Sequence, residues 1–321
     1  MKKLTFALVS LLLGTSLLAA WPLESPPAHA VQETKPSPPP SAPPTEPATD
    51  IAAPTLQAAV ERFMKQLALQ PGFEPWQQAS WTSYPLGPGM RGWVIIVSAG
   101  GSEAGYLVLH AGEADTYRLT EYGKGAYPLF SLQTLHRSLV QLELIEYPHQ
   151  AERLYFGPLQ ALWKITVQKA DRIWYIDAKT GEEMPFAGDA KLPKSKPAHA
   201  PNSTNTDAKH TIRESGQTEP AEPYARLPWV QNKSGKPLPF DDLKQLIAQG
   251  SKPVFAAELY EGSVTVPLPV AGFQVWSSGD RFVQFRQDDD RFLPYEALQR
   301  LGSFYPEPTV SPLPYIEKLP A

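Results

Sequence analysis

Residues 161–184 read A-L-W-K-I-T-V-Q-K-A-D-R-I-W-Y-I-D-A-K-T-G-E-E-M, and this pattern admits few structures. Trp163, Ile165 and Val167 are separated by Lys164, Thr166 and Gln168, a period of two that sorts side chains onto the two faces of a pleated strand. A helix would scatter the same residues around its surface. The polar stretch Lys169, Ala170, Asp171 and Arg172 makes a loop, and residues 173–176 start the return strand. Asp177-Ala178-Lys179-Thr180-Gly181 then supplies turn residues. The Asp177 carboxylate can accept from the backbone N–H groups that follow it, and Gly181 can take a positive φ. This turn is expected to be structural, with no catalytic or metal-binding role.

The apolar face of such a hairpin needs a cover. Residues 55–70 offer one: Leu56, Val60, Phe63 and Leu67 form a helical stripe, Thr55 is placed to cap it, and Pro71-Gly72 ends it. Trp163 and Ile165 are therefore expected to pack on the Leu56–Phe63 face. Between helix and hairpin the pattern predicts strands at 81–84, 92–98, 106–110 and 116–122, with glycine-rich turns between them, and a short helix at 132–140 followed by two further strands. Val94-Ile95-Ile96-Val97 is apolar throughout, the sign of a strand covered on both faces. Towards the C-terminus, a helix capped by Asp241 and closed by Gly250 precedes strands at 254–259, 263–266, 272–276 and 282–286. A last helix at 294–301 is stopped by Gly302.

Apolar residues thin out twice. Residues 31–54 hold the run P-S-P-P-P-S-A-P-P-T-E-P, which tends to extended polyproline II and reads as a disordered spacer. From 187 to 227 the only large aliphatics are Leu192, Ile212 and Leu227, and Tyr224 is the only aromatic. That is too little apolar surface to offset chain entropy, so the stretch reads as a disordered linker. The expected organisation is a signal peptide at 1–30, a spacer at 31–54, an α+β domain at 55–186, a linker at 187–227, a second α+β domain at 228–306 and a tail at 307–321. The fold class is α+β: two small domains, each an antiparallel sheet with one or two packed helices.

Lys2 and Lys3, the apolar residues 4–21 and Ala28-His29-Ala30 fit a secretory signal cleaved after Ala30. Pro22, Glu24, Pro26 and Pro27 follow the apolar run at once, with no basic stop-transfer cluster, so no stable membrane span is expected after cleavage. The expected location is extracellular or in the cell envelope. The chain has no cysteine, which removes disulfides, thiolate metal sites and a cysteine nucleophile.

Motifs for chemistry are scarce. His29 lies in the signal, His199 and His210 in the linker, and His110, His136 and His149 stand apart without metal-ligand spacing. His110 ends an apolar strand and is expected to keep its tip in solvent. Ser277-Ser278-Gly279-Asp280 reads as a hairpin turn. Asp288-Asp289-Asp290, flanked by Arg286 and Arg291, lacks the alternation and glycine of a calcium loop and is expected to be an exposed acidic turn. The net charge is −4 with no basic face, against nucleic-acid binding. Trp76, Trp81, Trp93, Trp163 and Trp174 could stack on sugars but are expected mostly in the core. No catalytic, cofactor-binding or metal-ligating residue is assigned, and no cofactor is implied.

The strand–loop–strand of residues 163–182, ending in D-A-K-T-G-E, resembles the terminal hairpin of PepSY-like exported domains, and the helix starting near Thr55 fits the same outline. Such modules occur in propeptides of secreted metallopeptidases, as inhibitors and folding assistants, and as free-standing exported domains. The resemblance implies an α+β module and possible modulation of a peptidase, and it carries no catalytic residue. The expected function is non-enzymatic: a secreted bacterial protein acting through contact with another protein or a cell-wall component. The alternative is a secreted hydrolase using a carboxylate pair drawn from residues such as Asp280, Glu258 and Asp288.

Overall fold

The computed structural model describes residues 54–112, 116–186, 192–193, 211–225, 227, 230 and 238–306. The expected signal peptide, the spacer to 53, most of 187–210 and the tail from 307 lie outside these residues. The described residues begin with α1 (Pro54–Leu67) and a 3-10 turn (Glu74–Gln78), followed by β1 (Ser80–Pro85), β2 (Gly92–Ala99), β3 (Ser102–Ala111) and β4 (Tyr117–Lys124). Next come α2 (Leu132–Gln141), β5 (His149–Gly157), β6 (Gln160–Val167) and β7 (Ile173–Asp177). After β8 (Ile212–Gln217) and α3 (Phe240–Ala248) come β9 (Val254–Leu259), β10 (Val264–Trp276), β11 (Arg281–Arg286) and β12 (Asp290–Pro294). The described chain ends with α4 (Tyr295–Leu301) and β13 (Gly302–Tyr305).

The fold is α+β, mostly antiparallel sheet with four α-helices among the described residues. β5-β6-β7 form a three-stranded sheet. The other strands form a ten-stranded one in the order β1-β2-β3-β4-β12-β11-β10-β9-β13, with β8 also paired to β10. The two stretches expected to carry separate sheets, 55–186 and 228–306, therefore meet in one. The joint is the pairing of β4 with β12, in which Tyr122, Gly123 and Lys124 face Phe292, Arg291 and Asp290. Each half would otherwise end in a strand with unpaired N–H and C=O groups, and joining the two removes both edges. Within the expected linker, residues 212–217 form β8, whose backbone bonds to β10 compensate for its sparse apolar side chains.

Three cores follow from the alternation. α1 lays Leu56, Val60, Phe63 and Leu67 on one face of the large sheet, against Ile95, Val97, Leu107 and Leu109. Val94, Ile96, Tyr106 and Val108 face the other way, towards α2 and the small sheet. The apolar run in β2 is thus covered on both faces, as its sequence requires. The third core packs α3 and α4 on β9, β10 and β11, and takes in Leu162 and Tyr175 from the small sheet.

Trp163 and Ile165 are buried, but not under α1. They pack with Leu135 and Leu139 of α2 and with Phe130, whose ring stands edge-on to Trp163 at 5.2 Å. α1 is occupied on the opposite face of the large sheet, so the helix nearer in sequence covers the hairpin. Two strands also differ from the sequence pattern. The strands expected at 263–266 and 272–276 merge into one long strand, β10 (Val264–Trp276), whose Pro267 and Pro269 sit within the pairing to β9 and which bulges between Val270 and Gly272. β13 continues directly from α4, where Gly302 leaves room for the backbone of Ala256, 2.0 Å from where a Cβ would sit.

Two outcomes test this arrangement. Trp163→Ala should cost about 3–5 kcal/mol in chemical denaturation, and a loss under about 1 kcal/mol would put the indole outside the packed layer. Cutting the chain between 186 and 211 should leave both fragments eluting together under native conditions. Separate elution would show that the β4–β12 joint does not hold them.

Candidate functional site

Glu121, on β4, is fully buried. Its Oε1 accepts from Arg291 Nε at 2.8 Å and from the Tyr106 hydroxyl at 2.7 Å, with Arg291 Nη2 also at 2.7 Å. Its Oε2 accepts from the Tyr155 hydroxyl at 3.1 Å. A carboxylate out of water is tolerated only with this degree of pairing. Burial, then the negative charge of Glu121, holds the Tyr155 and Tyr106 hydroxyls well above the ordinary phenol range. Burial opposes the Arg291 charge, but Glu121 outweighs it and keeps the guanidinium firmly protonated. Both tyrosine hydroxyls and the Arg291 guanidinium donate to Glu121, so the cluster is a strap across the β4–β12 joint.

Sequence reasoning missed this strap because of one residue. β3 and β4 slip register at Thr120: Leu109 faces Leu119, while Val108 faces Glu121. The bulge reverses the alternation. Leu119 and Tyr122 turn towards α1, and Glu121 turns to Tyr106 on the other side. Without the extra residue, Glu121 would share the face of Leu119. The only trace in the sequence is an acidic residue between apolar strand positions, which is equally the pattern of a solvated edge.

His110, expected with its tip in solvent, is buried. β3 runs on through Ala111 and pairs His110 with Arg118, while Gly92 leaves space for the ring, 2.9 Å from where its Cβ would be. The Thr120 hydroxyl donates to Val108 O at 3.2 Å and lies 2.9 Å from His110 Nδ1. A hydroxyl has one proton to give, so Nδ1 must carry the imidazole proton. Nε2 is left buried without a partner. Burial, helped by the Arg118 charge, lowers the pKa from 6.5 to about 4.

The aspartate run is not a free acidic turn either. Asp290 opens β12, is buried, and pairs with Arg286 at 2.6 Å and with Lys124 at 3.3 Å. Burial would raise its pKa, but hydrogen bonds from Arg286 and Gln284 outweigh burial and hold it below the usual carboxylate range. Asp289 binds Lys179 at 2.8 Å and accepts from Tyr127 N at 3.1 Å. Asp288 stays exposed. With Glu103, Trp76 and Gly125, the run lines an open cleft of about 430 Å³ at one end of the large sheet. Burial raises the pKa of Glu103 against a hydrogen bond from Ser131.

The carboxylates suggested for hydrolysis are not brought together. Asp280 and Asp288 lie beyond opposite ends of β11, roughly 20 Å apart at about 3.3 Å per residue, and Asp280 is paired with Arg118 and Ser278. Glu258 is exposed on β9. No group of three metal-ligating side chains occurs among the described residues. Trp76 and Trp163 are buried, and Trp81, Trp93 and Trp174 are half-buried against the cores.

A further surface feature surrounds α2. Ser131 caps the helix, its hydroxyl accepting from Thr134 N. Thr134, Leu135, Ser138 and Leu139 face inward, which leaves Leu132, Gln133, His136, Arg137 and Val140 outward. Leu132 is 44% and Val140 48% exposed, and Tyr127 and Tyr147, just before and after the helix, are 40% and 57% exposed. The 177–182 turn lies against the same helix. Asp177 Oδ1 accepts from Lys179 N and Thr180 N, each at 2.8 Å, and Gly181 has φ +80°, as the sequence predicts. A Cβ on Gly181 would meet Ser138 Oγ at 2.6 Å. Between helix and turn lies a hollow of about 450 Å³ lined by Arg137, Ser138, Gln141, Thr180 and Glu182 among others.

Compared with family models, curated proteins and solved structures, the chain matches none.

Arg291→Met should cost about 3–5 kcal/mol, because it strands a buried carboxylate. The double variant Glu121→Met/Arg291→Met should recover most of that loss in urea denaturation. If the double variant is as unstable as the single, the strap owes its effect to packing. His110 predicts a pH effect with a definite sign. Its folded pKa is depressed, so between pH 6.5 and about 4 the unfolded chain takes the proton first and stability falls as pH falls. The loss attributable to it should reach about 3 kcal/mol. His110→Phe should flatten that part of the stability curve, and an unchanged slope would assign it to other groups.

Proposed function

We propose that this is an exported, non-enzymatic protein that works by contact with another protein or a cell-wall component, through the outer face of α2 and the adjoining 177–182 turn. The observation that carries the reading is the exposure of Leu132 and Val140 on one helix face, flanked by Tyr127 and Tyr147. Grouped apolar exposure of this kind marks interaction surfaces more often than scattered single residues do. Export rests on residues 1–30 of the sequence. No described helix is long and apolar enough to cross a membrane. In this reading 55–186 and 228–306 are two sequence modules that share a sheet, and the first is the PepSY-like one, which makes a peptidase one partner class to try.

The buried ionisable groups support a contact role over catalysis. Glu121, Arg291 and Asp290 are each taken up in pairs that join strands. The alternative of a carboxylate-pair hydrolase finds no such support: Asp280 and Asp288 lie beyond opposite ends of β11, and Glu258 is exposed on β9.

The test is capture of envelope and culture-supernatant components by the full chain and by Leu132→Asp/Val140→Asp. Both positions are exposed, so thermal stability should change by no more than about 0.5 kcal/mol per site. Capture of the partner should fall at least about tenfold, the scale of 1.4 kcal/mol in binding. Undiminished capture by a folded double variant would overturn the assignment of this face.

A further inference from the structure

We draw no further inference here: the strongest candidate, the open cleft at the end of the large sheet lined by Glu103, Asp288, Asp289 and Asp290, is an acidic cluster whose Asp289 and Asp290 are already matched by Lys179, Lys124 and Arg286, and nothing in the structure shows what would occupy it.

Discussion

The ion pair of Glu121 with Arg291 bridges two residues 170 positions apart in the sequence, and the rest of the fold depends on the joint it spans. β4 and β12 share only three paired positions, a short ladder for holding two halves of a ten-stranded sheet. Side chains reinforce it on both faces. On one, Arg291 and two tyrosines close around Glu121. On the other, Tyr122 stacks on Phe292 with centroids 4.6 Å apart and planes within 5°, and Lys124 reaches Asp290. Both sides of the joint are thus closed to water, one by charge and one by aromatic area.

A buried pair of this kind is weak evidence of net stabilisation, because desolvating two charges cancels much of their attraction. Its stronger effect is on choice. A strand edge pairs readily with other edges through backbone groups alone. Placing an unsatisfied arginine on β12 and an unsatisfied glutamate on β4 makes other pairings costly, since each would bury a lone charge. Lys179–Asp289 and Arg118–Asp280 extend the same logic to either side. The first ties the 177–182 turn to the start of β12. α2, packed against that turn through Gly181 and Ser138, is thereby held in position, and with it the exposed Leu132 and Val140.

Features governed by neighbours in sequence were legible. α1 and α2 appear where the apolar stripes place them, the hairpin of β6 and β7 follows its alternation, and the Asp177 turn forms the local hydrogen bonds its residues favour. The Val94–Val97 run is covered on both faces. Features that depend on a change of phase were not legible. The extra residue at Thr120 moved Glu121 to the opposite face, and the continuous backbone through Pro267 and Pro269 merged two expected strands into β10. The α2 surface was only half legible: the helix was clear, but which residues stayed outside depended on where the small sheet docked.

By itself the sequence determined the α+β composition, the apolar stripe of α1, the turn chemistry and the absence of any thiol chemistry, because each of these is decided within a few residues or by composition alone. Tertiary structure decided which strand edges meet, which helix covers the hairpin, and which charges become buried. Trp163 carries the same alternation whether α1 or α2 lies above it. Asp290 and Arg291 read as a solvated charge run until β4 lies beside them. Partner choice between distant strands depends on side chains brought together only when the chain has closed, and local periodicity carries no record of that encounter.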